Sequence, residues 1–287
     1  MKTKAMISAN GAPLLTELTA GHLHQAVGLS SEMGWPYRLE DWAFAHRLGS
    51  GLALEQSDRL IGTAMRWDYG DDCTSVGMII VAKAFQKRGY GALLVDALLE
   101  DAKAKTVFLN ATQEALALYR RRGFRCTGII NQHQGVPMLL GDIDRPRQIK
   151  IADSADLTNV LALDHDALGM PRAMLLRSLA EAGQILVLMD RGVASGFAAY
   201  RAFGRGFVIG PVVAPRLDDA CQLVDAAIWR LPGDFVRVDT PADSGLTPWL
   251  EARGLARVDS ASAMVRGVQP QPSGQARVFA LSSQSLG

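Results

Sequence analysis

The sequence has little of several features that would define other classes of protein. Its 287 residues include three cysteines, Cys73, Cys126 and Cys221, and an odd number of distant cysteines fits a reducing cytosol better than a secreted disulfide framework. No Cys/His pairs have the spacing of zinc ligands. No apolar run approaches the roughly 18 residues of a membrane span, and no signal-peptide core follows the basic start. We therefore expect a cytoplasmic protein with no metal site and no membrane segment.

The chain also lacks an excess of charge of either sign. Thirty Lys and Arg face 29 Asp and Glu, which gives a net charge of +1, so no global field attracts nucleic acid or anionic membrane. Hydrophobic residues make up 48% and charged residues 21%, as in ordinary globular proteins. The length exceeds the roughly 100–200 residues usual for one domain, which favours two domains.

Hydrophobic periodicity predicts mixed helices and strands in an α/β or α+β layer fold. In the first half it predicts helices near 19–29, 39–48, 89–104 and 113–122, with strands near 51–55, 60–68, 74–81, 106–110, 124–131 and 136–140. In the second half it predicts helices over 153–168 and 216–230, with strands near 184–190, 193–202, 206–214, 235–240 and 277–281.

The two halves resemble each other in the order of these elements, which indicates an internal repeat. Residues 118–124 are echoed by 249–255, and Val95-Asp96-Ala97 by Val224-Asp225-Ala226. The polar segment 141–147 contains a proline and is the predicted linker. We expect an N-terminal domain at 1–142 and a C-terminal domain at 146–287.

A glycine-rich turn, Gln86-Lys87-Arg88-Gly89-Tyr90-Gly91, lies between a predicted apolar strand and an amphipathic helix. The N-terminus of a helix has unpaired backbone N–H groups and a partial positive charge, so it favours an anion. Glycines let the backbone approach a phosphate closely, and Lys87 and Arg88 add charge. A pyrophosphate is the natural occupant, although the glycines alone are equally consistent with a simple strand-to-helix turn. The Gly-Lys-Ser/Thr ending of a Walker loop and the third glycine of a dinucleotide fingerprint are both absent.

The turn resembles the acyl-CoA-binding motif of the Gcn5-related N-acetyltransferases (GNAT), whose signature is Gln/Arg-x-x-Gly-x-Gly/Ala. Gln86, Gly89 and Gly91 match every specified position. Downstream, residues 110–124 resemble the second half of that family's cofactor site, in which a helix carries Leu-Tyr and ends in Gly-Phe. The second half of the chain resembles a diverged copy, with no Gly-x-Gly between Val213 and Val224. We expect two tandem GNAT-like domains, each a mixed, mostly antiparallel sheet flanked by helices, with no productive cofactor binding in the second.

The resemblance implies acetyl-CoA as cosubstrate and assigns roles to residues of the first half. Residues 86–92, from Gln86 through Tyr90 to Ala92, would hold the pyrophosphate, and Ile79, Ile80 and Val81 would orient the acyl arm through their backbone groups. Asn110 would bond the cofactor arm, or else serve as a turn residue. Tyr119 would contact the cofactor and donate a proton to the leaving thiolate, with core packing as the alternative.

Other candidates rest on position alone. Glu32, Asp68 and Asp71 are candidate general bases, although each is better explained as a solvated surface carboxylate. The aromatic loop 33–37 is a candidate wall of the acceptor pocket or a hydrophobic staple. In the second half, 164–172 is a polar cluster that would contact a substrate or simply end a helix.

The resemblance implies a direct acetyl transfer from acetyl-CoA, and we expect the acceptor to be a primary amine of a small molecule. The expected partners are acetyl-CoA and the amine acceptor. The sequence is also compatible with a homodimer. A non-catalytic acyl-CoA sensor is the alternative.

Overall fold

The computed structural model describes residues 12–102, 105–138 and 149–287, so the predicted linker at 141–147 lies outside the described residues. The chain divides into two compact units, one ending at Val107 and the other running from Phe108 to Gly287. This division precedes the predicted linker, and the domain boundaries at 142 and 146 stay a prediction. No helix among the described residues is both long and apolar enough to cross a membrane.

The first unit is an antiparallel sheet with three α-helices. In chain order it contains β1 (Leu14–Glu17), α1 (Leu23–Glu32), α2 (Leu39–Leu48), β2 (Ser50–Gln56), β3 (Arg59–Tyr69), β4 (Cys73–Val81) and α3 (Tyr90–Asp101). The four strands pair in chain order, each antiparallel to the next. The short connections between β2, β3 and β4 make this order natural, because neighbouring antiparallel strands need only tight turns.

Buried aromatic residues join the helices of the first unit to its sheet. The indole N–H of Trp67 on β3 donates to the carbonyl of Ala45 on α2 at 2.8 Å, and that of Trp42 donates to Ser30 on α1 at 3.2 Å. Both indoles are essentially inaccessible to solvent, so each large ring is buried with its polar atom satisfied. These bonds connect α1, α2 and β3.

Strand β5 (Thr106–Ala111) contains the division between the units. The second unit continues with α4 (Leu116–Arg120), β6 (Arg125–Gly135), β7 (Ile149–Ile151), α5 (Asp156–Leu168), α6 (Ala173–Ala182), β8 (Gly183–Asp190), β9 (Val193–Phe203), β10 (Gly206–Ala214), α7 (Leu217–Ile228), β11 (Val236–Pro241), α8 (Thr247–Ala252), β12 (Ala256–Arg266) and β13 (Arg277–Ala280).

Seven strands of the second unit follow the order β12-β6-β11-β10-β9-β8-β7, and β13 pairs with β10. All of these pairs are antiparallel except β10 with β11. Strand β6, from the first half of the sequence, lies between β11 and β12 of the second half. Its pairing partners are therefore more than 100 residues away along the chain.

Several predicted elements differ from the structure. The predicted helix 113–122 is shortened to α4 after a 3-10 turn at Gln113–Ala115. The strand predicted at 124–131 runs on to Gly135, because β6 has a partner on both sides. Residues 136–138 carry no strand, and 139–140 lie outside the described residues. Strand β1 and helix α6 were not predicted. Strand β1 has only four residues, whereas α6 has ten, and its buried Leu175, Leu176 and Leu179 recur at helical spacing.

Candidate functional site

Strand β4 carries a bulge shortly before the glycine-rich turn. The register between β3 and β4 shifts there, so that Met78 and Ile79 lie opposite a single residue of β3. Met78 has a φ of 49°, and its carbonyl accepts a 2.9 Å hydrogen bond from the Thr63 hydroxyl. Bulges of this kind re-aim a strand and release backbone groups from the ladder. The predicted arm-binding residues Ile79–Val81 therefore lie at and directly after the bulge. Thr63 had no sequence signal that singled it out.

The glycine-rich turn presents backbone N–H groups at the start of α3. Gly89 is the residue before the helix, with a φ of 86°, and Lys87 has a φ of 61°. The first helical bond is from the N–H of Leu93 to the carbonyl of Gly89, at 3.0 Å. Within the described parts of the chain, the N–H groups of residues 87–91 make no hydrogen bond. A helix of 12 residues thus begins with a row of donors available to an anion.

The space in front of these donors is open. A Cβ atom added to Gly89 or to Gly91 would meet no described atom within 4 Å. A phosphate oxygen can therefore approach the backbone at both glycines, and any larger side chain at Gly91 would occupy that space. The donors, the open space and the exposed Lys87 ammonium fit the diphosphate of an acyl-CoA. Tyr90 and Ala92 are partly buried in the first turn of the helix.

Side chains of the turn brace it from within. The amide of Gln86 donates to the carbonyl of Val81 at 3.0 Å and lies 3.7 Å from the sulfur of Met33. The guanidinium of Arg88 donates to the carbonyl of Ala84 at 3.0 Å. The matching glutamine of the family signature is thus used here to close the loop between β4 and α3, and a phosphate would meet backbone groups first.

The loop after α1 is tied to the segment that leads into the turn. Glu32 accepts a 3.2 Å hydrogen bond from the backbone N–H of Lys83. Trp35, Tyr37 and Trp42 form a row of ring contacts, with centroids 6.4 and 6.3 Å apart. Trp35 and Tyr37 are only partly buried, whereas Trp42 is in the core. Trp42 thus packs in the core, whereas Trp35 and Tyr37 are partly accessible to solvent.

The carboxylates considered as general bases are not poised for that role. Asp68 accepts hydrogen bonds from Thr74 at 2.6 Å and Lys105 at 3.2 Å, and lies 3.8 Å from Arg66. Partial burial raises the pKa of Asp68, but these three partners outweigh it and lower the pKa overall. Asp71 is exposed in the turn after β3, and Glu32 holds a backbone N–H. A lowered pKa makes Asp68 a weak base.

Tyr119 lies on α4 in the second unit and is buried, with 6% of its surface exposed. Its ring meets that of Phe124 edge to face at 5.7 Å. Burial raises the pKa of Tyr119 from 10.0 to about 12, and the nearby charge of Arg122 offsets only part of this. The hydroxyl makes no hydrogen bond to the described residues. The phenol therefore keeps its proton at neutral pH and is available as a donor.

Asn110 is held by a residue near the other end of the chain. Its side-chain N–H donates to the backbone carbonyl of Gln284 at 2.7 Å. One N–H of the amide is therefore already used, and the Asn110 oxygen is left as the acceptor for a ligand. Because the two residues are 174 positions apart, no sequence pattern could have indicated this contact.

The polar cluster 164–172 is used by the fold. Arg172 makes a bidentate pair with Asp164, with contacts of 2.6 and 3.0 Å, and both side chains are essentially inaccessible. The backbone carbonyl of Asp166 accepts bonds from the N–H groups of Ser273 and Gly274. This arrangement favours the structural interpretation of the cluster over a role in substrate contact.

Among its described residues, the second unit has no counterpart of the glycine-rich turn. Where the first unit has glycines, α7 begins with Leu217, and the side chain of Arg216 makes a bidentate pair with Asp219 at 2.9 and 3.0 Å. Asp218 and Asp219 place two negative charges in the first helical turn. These charges would repel a phosphate, so an empty second unit stays the prediction.

Comparison with known proteins agrees with this geometry. An acetyltransferase (GNAT) family model matches residues 21–124, and an acetyltransferase (GNAT) domain model matches residues 160–280. The chain is similar to an uncharacterized N-acetyltransferase, YitH, of Bacillus subtilis (strain 168), with 25% identity over 279 residues, 95% of this chain and 98% of that protein.

Solved structures show the same fold over nearly the whole chain. A putative acetyltransferase from Pyrococcus horikoshii has a TM-score of 0.80 at 19% identity and covers 98% of both chains. A tandem GNAT protein from the clavulanic acid biosynthesis pathway has a TM-score of 0.63 at 13% identity and covers 91% of this chain and 100% of that one.

The fold and the turn thus define an acyltransferase architecture present in two copies. The chain belongs to the GNAT superfamily of N-acetyltransferases, as a tandem member with two GNAT-like domains.

Proposed function

We propose that this chain transfers an acetyl group from acetyl-CoA to a primary amine of a small molecule, directly and without an acyl-enzyme. The observation that supports this most is the turn at a helix N-terminus, where the backbone N–H groups of residues 87–91 make no hydrogen bond and the backbone at Gly89 and Gly91 is open. The glycines and the exposed Lys87 suit the diphosphate of CoA. The backbone of Ile79–Val81, after the bulge, would orient the acyl arm, and positioning of this kind supplies much of the rate.

In the proposed reaction the neutral amine attacks the acyl carbonyl carbon, the C–N bond forms and the C–S bond breaks. The amine loses a proton, and the leaving thiolate gains one to give free CoA. Asn110 contributes its side-chain oxygen as an acceptor toward the cofactor arm. The exposed end of the aromatic loop, Trp35 and Tyr37, is the proposed wall for the amine.

Tyr119 is the proposed donor to the leaving sulfur. A thiol has a pKa of about 8.5, so moving a proton from a phenol of pKa about 12 to the thiolate is uphill by roughly 3.5 units, or about 5 kcal/mol. A hydrogen bond to the developing negative charge carries no such cost. Tyr119 is therefore best assigned to stabilising the thiolate by hydrogen bonding, with full protonation completed as the product leaves.

Calorimetric titration with acetyl-CoA tests the cofactor site. Gly91→Glu places bulk and negative charge in the space left for phosphate, and we expect it to abolish binding. Gly128→Glu is the matched control, because a Cβ there also meets no atom within 4 Å and neither glycine has a positive φ. Loss of binding in both variants, or in neither, would contradict the proposed site.

Turnover separates the enzyme from its alternative. Release of free CoA can be followed with a thiol reagent while a library of amines is screened. Binding without turnover on any amine would favour the non-catalytic acyl-CoA sensor. No binding of acetyl-CoA by the wild type would reject the proposed function.

A further inference from the structure

Strands β10 and β11 form a parallel pair that separates after a short run. Strands β10 and β11 pair at two positions, Phe207 with Val236 and Val208 with Arg237. Beyond these, the pairing of β10 with β9 shifts register between Ile209 and Val212. Two strands that part expose unpaired backbone groups on their facing edges, and such groups require partners when they are buried. The second unit therefore contains a gap between β10 and β11.

Strand β13 of the same chain occupies this gap. It pairs antiparallel with residues 212–214 of β10. On the β11 side, the N–H of Leu281 donates to the carbonyl of Asp239 at 2.8 Å, and the Thr240 hydroxyl donates to the carbonyl of Phe279 at 2.7 Å. Phe279 and Ala280 are fully buried, and a Cβ on Gly210 would stand 1.8 Å from the carbonyl oxygen of Leu281. The fit leaves no room for another extended molecule.

The loop that follows β13, residues 282–287, is closely packed as well. Ser282 donates to the Gly287 carbonyl through its hydroxyl at 2.7 Å and its N–H at 3.0 Å. The N–H of Leu286 donates to the hydroxyl of Ser283 at 3.2 Å. Ser282, Ser283 and Leu286 are buried. These bonds fix the loop next to β13, so the position of β13 determines where Gln284 lies.

Gln284 connects the loop to Asn110. Its carbonyl accepts the Asn110 N–H at 2.7 Å, while its own side-chain N–H lies 3.3 Å from the oxygen of Gln132 and 3.4 Å from a carboxylate oxygen of Asp239. Asp239 is in turn held by two contacts from the Nε of Arg237, at 3.0 and 3.1 Å. A carbonyl accepts but does not donate, so this contact decides which end of the Asn110 amide is left for a ligand.

We propose that segment 277–287 is the positioning element of Asn110: β13 fills the gap in the second unit in place of a ligand, and Gln284 orients the Asn110 amide for acyl-CoA. The inference rests on the proposed function, because it assigns the Asn110 oxygen to the cofactor arm. Gln284 is a positioning residue, since it acts through Asn110.

Calorimetric titration with acetyl-CoA tests this in a double-mutant cycle. Gln284→Met keeps the side-chain volume but removes the donor to Gln132 and Asp239, and we expect the Kd to rise roughly threefold to tenfold, the range for one neutral hydrogen bond. Asn110→Ala should raise it by a similar factor or more. The double variant should bind as weakly as Asn110→Ala alone, because Gln284 acts only through Asn110.

Gln275→Met is the matched control, since Gln275 is an exposed glutamine two residues before this segment. It should leave the Kd and the melting temperature unchanged. An unchanged Kd in Gln284→Met would overturn the positioning role and leave the proposed function intact. A double variant whose Kd increase is the product of the two single increases would do the same. A wild type that does not bind acetyl-CoA would reject both.

Hydrogen exchange tests the filled gap independently of Gln284. The amides of 278–281 should be protected in the free protein and stay so at saturating acetyl-CoA, while 87–91 gain protection. Two equivalents of bound acetyl-CoA, or loss of protection in 278–281 on binding, would show that β13 can be displaced and would overturn the inference.

Discussion

Replacing Tyr119 with phenylalanine should make the protein less sensitive to alkaline unfolding. The pKa of Tyr119 is raised by burial from 10.0 to about 12. Below pH 10 the phenol is neutral in the folded and the unfolded state, and the pKa difference has no effect on stability. Between pH 10 and pH 12 the unfolded chain releases the proton and the folded chain retains it, so the free energy of unfolding falls.

The size of this effect follows from the two pKa values. At pH 11 the unfolded phenol is mostly ionised and the folded one mostly neutral, which costs about 1.4 kcal/mol of stability. The full difference, approached only above pH 12, is about 2.7 kcal/mol. Tyr119→Phe removes this contribution and keeps the edge-to-face contact with Phe124 at 5.7 Å.

Urea unfolding at pH 8 and pH 11 provides the assay. Between these values the wild type should lose about 1.4 kcal/mol more stability than Tyr119→Phe. Below pH 11 the wild type and Tyr119→Phe should show the same increase in absorbance at 295 nm, which reports tyrosinate, because Tyr119 stays protonated there. Equal pH dependence in the two proteins, or a titration near pH 10 or below that disappears in the variant, would refute the assignment of a deeply buried, protonated phenol.

Two further predictions concern the rest of the chain. Arg172→Met leaves the carboxylate of Asp164, which is 1% exposed, without its bidentate partner. It should lower the free energy of unfolding in urea by about 3–5 kcal/mol. Combining it with Asp164→Leu should recover most of this loss, and an equal loss in the single and double variants would contradict the ion-pair argument. Cys126 is exposed, whereas Cys73 and Cys221 are buried. Burial raises the pKa of both buried thiols, that of Cys221 to about 12. A thiol reagent should therefore modify one cysteine per folded chain and three in urea, and fast modification of a second cysteine in the folded chain would contradict the burial.

Local patterns predicted the elements around the turn well. The predicted helix 39–48 coincides with α2, and the helix predicted from 89 begins at Tyr90. Both have apolar residues at helical spacing and clear ends, so the signal lies within one segment. The class of fold, tandem GNAT-like domains with mostly antiparallel sheets, was predicted by the motif at 86–91 and is confirmed by the family matches and the shared fold.

The sequence was a weaker guide to the chemistry of individual side chains. It suggested Glu32 as a base, but in the structure Glu32 holds the N–H of Lys83. Its suggestion of Gln86 as a ligand of the cofactor stays a prediction, and the structure adds that the amide of Gln86 donates to the carbonyl of Val81. In both cases a polar residue has local backbone partners that compete with a ligand, and a sequence does not show which partner is within reach.

By itself the sequence determined the glycine-rich turn, the helix behind it and the doubled architecture, because each depends on neighbouring residues or on a motif repeated in order. Only the tertiary structure decided that β6 pairs between β11 and β12, that β13 fills the gap beside β10, and that Gln284 meets Asn110. These contacts join residues more than 60 and up to 174 positions apart. Strand pairing of this kind depends on which unpaired edges the folded chain brings together, and no local pattern encodes that choice.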